Sequence, residues 1–221
     1  MTLLSALGLS ACNGWNSVEH GEYDVLTFTP DDCGRASCDL DDPIAVGGTF
    51  RVTLDAVDNG SVFGLTLISS NPYIMDVRPI DSFSEEYEVY GNGAGWADLI
   101  AIDGAGYEID YITIRVAHPQ RLSLDPTSGR AERAGITAGR EVWRLTAGEL
   151  VTFDVEASSS GVEMMGRLVL DVYLDQLFLD AMTADARLTE GHLSFQVPAG
   201  TYDITFIAPS GMALDLRFIA E

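Results

Sequence analysis

The sequence predicts an all-β protein made of two consecutive antiparallel β-sandwich domains. From Tyr23 onward, short runs alternate apolar and polar residues with a period of two, which is typical of strands with one buried face. Clusters of Gly, Asp, Asn and Pro separate these runs, as tight hairpins require. The chain has 221 residues, 47% hydrophobic and 21% charged, which indicates a folded body large enough for one domain or for two of about 100 residues.

The first half contains seven alternating runs. The turns between them include Asp58-Asn59-Gly60 and the segment 103–106, where residues tolerant of positive φ stand between apolar runs. The predicted strands are YDVLTF (23–28), TFRVTLDAV (49–57), VFGLTLIS (62–69), IMDVRPI (74–80), YEVYG (87–91), ADLIAID (97–103) and YITIRVA (111–117).

A domain boundary is predicted at His118-Pro119, because proline cannot donate to a continuing strand ladder. In the segment 166–181 the apolar phase changes near Asp175, so a bulge between strands and a short helix over 174–181 are both open; we favour strands. The predicted strands of the second half are EVWRLTA (141–147), LVTFDVEA (150–157), GRLVLDVYL (166–174), HLSFQVP (192–198), TYDITFIAP (201–209) and ALDLRFIA (213–220).

Three segments of the first half carry a family resemblance. GGTFRVTLDAV, LTLISSNPYIMDV and GNGAGWADLIAIDGAGYEIDYITIRV together resemble bacterial immunoglobulin-like domains (group 2 type), which are often repeated in surface proteins. VPAGTYDITFIAPSG is similar to the closing hairpin of extracellular β-sandwiches. The resemblance implies an immunoglobulin-like sandwich over 22–118 and a second over 119–221. No cysteine crosses the predicted sandwich, so an antibody-type core disulfide is not expected.

The N-terminal segment MTLLSALGLSAC is apolar and ends in small residues, like the remnant of a signal peptide. Residues 9–12, LSAC, resemble the lipobox of bacterial lipoproteins, although no Lys or Arg precedes the apolar run. The resemblance implies that residues 1–12 are a signal remnant, that Cys12 is lipidated, that 13–21 form a tether, and that the protein is exported to the cell envelope as an outer-membrane lipoprotein. The alternative is a hydrophobic N-terminal strand with a buried cysteine.

The loop DDCGRASCDLDD predicts two features. Cys33 and Cys38 are close enough to form a disulfide in an exported protein, the alternative being a metal or redox pair. The aspartates could chelate calcium through carboxylate oxygens, but their spacing misses the calcium-loop pattern and we favour a solvated acidic turn. The candidate calcium ligands are Asp31, Asp32, Asp39, Asp41 and Asp42.

The net charge of -22 limits the partners. Nucleic acid is excluded because the chain presents no positive field to replace condensed counterions. An anionic lipid surface would repel the folded body, so membrane attachment is expected only through the lipid anchor.

Familiar catalytic motifs are absent from the sequence, including Gly-x-Ser-x-Gly and His-Glu-x-x-His. Asp171 and Asp175 are predicted to share a strand face with Tyr173, which could suit acid–base chemistry or sugar stacking; we favour an outward polar face. Trp96 and Trp143 are predicted to pack in the two cores.

We therefore expect a non-catalytic envelope module, either binding or structural, that recognises a protein or a glycan and has no cofactor other than candidate calcium. The alternative is a β-rich accessory or calcium-dependent carbohydrate-binding domain associated with a hydrolase.

Overall fold

The computed structural model of the chain describes residues 17–32, 38–58, 60–81, 85–175, 178, 187–189 and 192–221. Its described part is built of β-strands. In the first half the strands are β1 (Glu19–His20), β2 (Leu26–Asp31), β3 (Ile44–Ala45), β4 (Gly48–Ala56), β5 (Thr66–Ser69), β6 (Met75–Pro79), β7 (Glu86–Gly91), β8 (Gly95–Ile102) and β9 (Glu108–Ala117).

The second half continues in the same way. Its strands are β10 (Arg121–Ser128), β11 (Ala131–Thr137), β12 (Arg140–Leu145), β13 (Val151–Ser159), β14 (Val162–Glu163), β15 (Arg167–Leu168), β16 (Asp171–Leu174), β17 (Arg187–Thr189), β18 (His192–Phe195), β19 (Gly200–Ile207) and β20 (Ala213–Ala220).

The strands form two sandwiches with the same strand order. In the first sandwich, a sheet with the order β1-β2-β4-β7-β6 packs on a sheet with the order β3-β9-β8-β5. In the second, β10-β13-β18-β17 packs on β11-β12-β20-β19-β16. Four consecutive positions of each sheet correspond, and this pairing of strands is that of immunoglobulin-like domains. The predicted fold class is confirmed. The sheets are not wholly antiparallel, because β3 pairs with β9 and β12 pairs with β20 in parallel.

Alternating hydrophobicity produces the cores. Strand β13 buries every second residue along its whole length, and the buried faces of both sheets meet in one apolar cluster per sandwich. In the second sandwich, Phe153 lies 5.4 Å from Phe218 and 5.3 Å from Trp143 between ring centroids. The largest buried side chains of the first sandwich include Phe28 and Phe50.

Strands β10 and β11 were not predicted. β11 is exposed along almost its whole length, so its residues follow no apolar period that would indicate a strand. β10 contains Pro126, and the register shifts between Pro126 and Ser128. This proline is tolerated because β10 lies at the edge of its sheet.

The predicted single strand over 166–174 is wrong, because the segment divides between two sheets. β15 pairs with β4 of the first sandwich, whereas β16 pairs with β19 of the second.

β16 ends at Leu174, and Phe178 has a helical backbone. The Asp175 carboxylate accepts a hydrogen bond from the Phe178 N–H at 2.6 Å, which is the contact of a helix N-cap. Residues 176–177 and 179–181 lie outside the described residues, so the choice between a short helix and strands over 174–181 stays a prediction.

Residues 164–168 join the two sandwiches. Met165 is fully buried in the core of the first sandwich, although it follows the second sandwich's strand β14 in the chain. Its N–H donates to the Pro43 carbonyl and its carbonyl accepts from the Ala45 N–H, both at 2.9 Å. The core of the first sandwich is therefore completed by a residue from the second half of the chain.

Candidate functional site

The acidic residues predicted as one calcium site are not all together. The carboxylate oxygens of Asp39, Asp41 and Glu19 lie within 4.8 Å of one another, a group of hard oxygen ligands. Glu19 was missed because the sequence placed it in a tether, whereas it forms β1 and pairs with Phe28. The other predicted ligands lie outside this group: Asp31, Asp32 and Asp42.

Asp32 interacts with arginines instead. Its backbone has φ of 53°, and its carboxylate contacts the guanidinium of Arg167 and lies 3.7 Å from that of Arg51. Because two cations already contact it, this carboxylate is a poor candidate for a metal ligand. Asp31 is exposed, and its side chain accepts from the Asp32 N–H at 2.7 Å.

The cysteine predictions fall mostly outside the described residues. Cys12, the predicted lipidation site, and Cys33 both lie there. Cys38 is buried and disulfide-bonded, and its pairing with Cys33 stays a prediction. Within the described ranges, no helix is long and apolar enough to cross a membrane.

Asp110 is a buried carboxylate that the sequence analysis missed. It lies on β9, is 0% exposed, and accepts hydrogen bonds at 2.9 Å from four backbone N–H groups. Gly21 packs directly against it, since a Cβ there would lie 2.2 Å from the carboxyl carbon. Satisfied by backbone donors, Asp110 fixes the turn 21–25 that leads into β2. The donors are the N–H groups of Tyr23, Val25, Leu26 and Tyr111.

Asp203 and two arginines form an ion-pair network on the second sandwich. Arg217 donates two hydrogen bonds of 2.8 Å to the Asp203 carboxylate, and Arg140 donates a third. The hydrogen bonds from Arg217, followed by the charges of both arginines, hold the pKa of Asp203 below its ordinary value. The three residues join β12, β19 and β20, so the network is structural.

The candidate acid–base pair is not assembled. Asp175 lies beyond the end of β16, and its two carboxylate oxygens accept from the backbone N–H groups of Phe178 and Asp203. Asp171 and Tyr173 are exposed on the edge strand β16. The outward polar face is the better interpretation.

Of the two tryptophan predictions, one is correct and the other is wrong. Trp143 is buried, and its Nε1 donates to Glu141 at 2.9 Å, so the prediction for Trp143 is correct. Trp96 is 64% exposed and lies beside the Arg115 guanidinium, so the core position predicted for it is wrong. Ala97, its neighbour on β8, points inward instead.

One end of the first sandwich brings several loops together. Thr66 pairs with Ile102, so the loops that precede β5 and follow β8 leave their sheet side by side. Val57 N–H donates to the Val25 carbonyl, which brings the turn before β2 to the same end. We call this region the loop tip; its described residues are 21–25, 57–58, 60–65, 80–81, 85 and 103–107.

Hydrogen-bonded turns at the loop tip present aromatic side chains to solvent. Leu65 N–H donates to the Val62 carbonyl at 3.1 Å and Gly64 has φ of 85°, which together define a type II turn. Phe63 occupies its second position and is 81% exposed. In the loop 103–107, the Asp103 carboxylate accepts from two backbone N–H groups and Tyr107 is exposed.

A cleft of about 310 Å³ lies beside Phe63. Its floor is apolar and includes the buried Leu54 and Tyr87, whose hydroxyl donates to the Leu65 carbonyl at 3.2 Å. Desolvation by burial raises the pKa of Tyr87, so its hydroxyl keeps its proton. Among the lining residues, two exposed carboxylates stand at the mouth: Asp81 and Glu85.

No family model matches the chain, and no curated protein sequence matches it. Among solved structures, domains 5–6 of the S-layer protein SbsC are similar at 13% identity and a TM-score of 0.34, over 92% of this chain and 98% of that one. The Yersinia pseudotuberculosis adhesin InvE is similar at 14% identity and a TM-score of 0.32, over 81% and 56% of the two chains.

The Bacteroides ovatus glucan-utilisation protein SGBP-B, solved with a mixed-linkage heptasaccharide, is similar at 13% identity and a TM-score of 0.34, over 83% of this chain and 43% of that one. At these identities and TM-scores, the likenesses carry no argument about function.

Proposed function

We propose that this chain is a non-catalytic binding module of the bacterial cell envelope, anchored by a lipid at Cys12, that recognises a protein or glycan through the loop tip. The observation that carries the binding part is the exposed Phe63 on a hydrogen-bonded type II turn beside an apolar cleft. The anchoring part rests on the lipobox resemblance of residues 9–12.

A preordered turn favours recognition for a thermodynamic reason. An exposed aromatic ring gives no stability to the fold, but it can bury a large apolar area in a partner. Because Gly64 and the hydrogen bond from Leu65 already fix the turn, little conformational entropy is lost on binding. Rigid aromatic side chains on sandwich loops are a common solution for protein recognition.

The division of the chain fits this proposal. We place one immunoglobulin-like sandwich in 22–118, extended by β1 (Glu19–His20), and the second in 119–221, with β15 as the strand that crosses between them. The loop tip lies at the far end of β4 from β15, since β15 pairs with Gly48 and Thr49 at the start of that strand. The second sandwich therefore leaves the loop tip uncovered.

The anchor is tested by metabolic labelling with an alkyne fatty acid in a bacterial host. The chain should be labelled and recovered with membranes, whereas Cys12→Ser should be unlabelled. Cys38→Ser is the control for a general cysteine effect and should still be labelled. Equal labelling of the original chain and Cys12→Ser would overturn the anchor.

A second candidate, a calcium-dependent carbohydrate-binding domain, is favoured by the grouping of Glu19, Asp39 and Asp41. Thermal melting in 1 mM CaCl₂ against chelator tests it, because a ligand that binds the native state raises Tm. A rise that is lost in Asp41→Asn but kept in Asp55→Asn would support it. Equal melting temperatures in CaCl₂ and in chelator would contradict calcium binding, and the binding module without calcium would remain the proposal.

A further inference from the structure

We propose that the loop tip binds a cationic segment of a protein, with an Arg or Lys side chain in the cleft beside Phe63. This inference rests on the proposed function, because it names the partner chemistry of the same surface. It is carried by the charge of the loop tip together with the shape and lining of the cleft.

The charged side chains among the described residues of the loop tip are all acidic. Its described residues include no arginine, and the whole chain contains no lysine. Such a surface attracts cations and repels acidic partners, since like charges brought together are destabilising. The tip contains six carboxylates, on Glu22, Asp24, Asp58, Asp81, Glu85 and Asp103.

The nearby arginine does not neutralise this surface. Arg78 lies on β6 one residue before Pro79, which lines the cleft. Its guanidinium donates to Asp76 at 2.8–3.0 Å and lies over the Tyr90 ring at 4.7 Å. Those partners lie further from the tip along β6 and β7, so Arg78 is directed away from the cleft.

The cleft matches a long cationic side chain. An Arg or Lys has an apolar stem that packs on apolar walls and a charged head that stays at the rim. The walls supply Leu54, Val62 and Leu65, and the mouth supplies the carboxylates of Asp81 and Glu85. Phe63 lines the same cleft, and its exposed ring can form a cation–π interaction with a guanidinium.

The opposite end of the same sandwich provides an internal contrast. Tyr73 lies between β5 and β6 at that end and is 90% exposed, more than Phe63. The loops 70–74 and 92–94 around it contain no charged residue. Exposed aromatic area is thus present at both ends, but the acidic surround is specific to the loop tip, which makes Tyr73 a matched control.

The test titrates the ¹⁵N-labelled full chain with hexa-arginine at 150 mM NaCl and follows the amide shifts. The expected shifts concentrate at 62–66 and 85–87. Phe63→Ala should weaken Kd about fivefold, and Asp81→Asn with Glu85→Gln should weaken it further and reduce its salt dependence. Tyr73→Ala should leave Kd unchanged. Thermal melting checks that each variant is folded.

Each other outcome overturns the inference. Shifts spread over the whole acidic surface, or equal effects of Phe63→Ala and Tyr73→Ala, would show non-specific charge attraction. Cellohexaose shifting 62–66 where hexa-arginine does not would assign the loop tip to a neutral glycan. In that case the proposed binding module would survive. If neither probe shifts the loop tip and Cys12→Ser is still labelled, the proposed function fails as well.

Discussion

The two sandwiches share a strand order but differ in how many aromatic side chains they expose to solvent. The second buries Phe153, Phe178, Phe195 and Phe218 in one cluster. Among the described residues, the first sandwich exposes five aromatic side chains, whereas the second sandwich exposes one, Tyr173. The exposed ones in the first are Tyr23, Phe63, Tyr73, Trp96 and Tyr107.

Buried aromatic residues stabilise the fold, whereas exposed aromatic residues can contact a partner. Aromatic rings packed at 5–6 Å stabilise the second sandwich by burial and edge contacts. The core of the first sandwich is mainly aliphatic and buries three aromatic residues, Phe28, Phe50 and Tyr87. Asp110 and Met165, the latter from the second half of the chain, are also buried in this sandwich. Its exposed aromatic residues are therefore accessible to a partner.

The largest expected effect is at the aromatic cluster. Phe195→Ala should lower the free energy of unfolding by about 3–5 kcal/mol, because a fully buried ring is replaced by a cavity. Phe63→Ala, at 81% exposure, should change it by less than about 0.5 kcal/mol. Urea unfolding measures both. Similar losses in the two variants would break the comparison.

Met165→Ala should weaken the first sandwich more than the second, although Met165 belongs to the second half of the chain. The loss of a fully buried side chain is expected to cost about 2–4 kcal/mol. Hydrogen exchange reports it locally: amides of β4 and β9 should exchange faster, and those of β13 should change less. Faster exchange confined to β13 would contradict the shared core. Val162→Ala, half-exposed on β14, is the matched control.

Asp110→Asn should destabilise the first sandwich by about 2 kcal/mol. The amide group that replaces one oxygen is a donor facing N–H donors, so two backbone groups lose their acceptor. Asp55→Asn on the outer face of β4 should have little effect. Urea unfolding at pH 7 compares them. An equal effect of both substitutions would remove the role assigned to Asp110.

The smallest effect concerns Asp203 and depends on pH. Its folded pKa lies below the unfolded value, so its contribution is present above that unfolded value, near pH 4, and is lost as pH falls through the folded pKa. Asp203→Asn should therefore lower the free energy of unfolding by about 1 kcal/mol at pH 7 and by much less at pH 2. A difference that persists at pH 2 would mean that packing, and not charge, is lost.

The strands that the sequence predicted well are those with one buried face. In β19 and β20 every second residue is buried, and both were predicted to within a few residues. β11 was missed because an exposed edge strand needs no apolar period. Hydrogen bonding to β12 holds it in place, and sequence does not report that pairing.

The site predictions failed where residue type was given more weight than strand phase. Trp96 follows the outward phase of β8, opposite to Ala97 and Leu99, so alternation already placed it outside. Asp110 follows the inward phase of β9 with Ile112, which indicated a buried carboxylate. The Glu19 group depends on pairing between distant segments and had no local signal.

The hydrogen bond from the Ser17 N–H to the Cys38 carbonyl, at 2.9 Å, limits the distance between the first sandwich and a lipid attached at Cys12. If Cys12 carries the lipid, five residue steps separate the acyl group from a residue that is already docked on the first sandwich. An extended chain covers about 17 Å in that distance. The loop tip begins at Gly21, four residues beyond Ser17 and directly after β1, which adds about 13 Å. An anchored copy would thus hold Gly21 of the loop tip no more than roughly 30 Å from the bilayer surface.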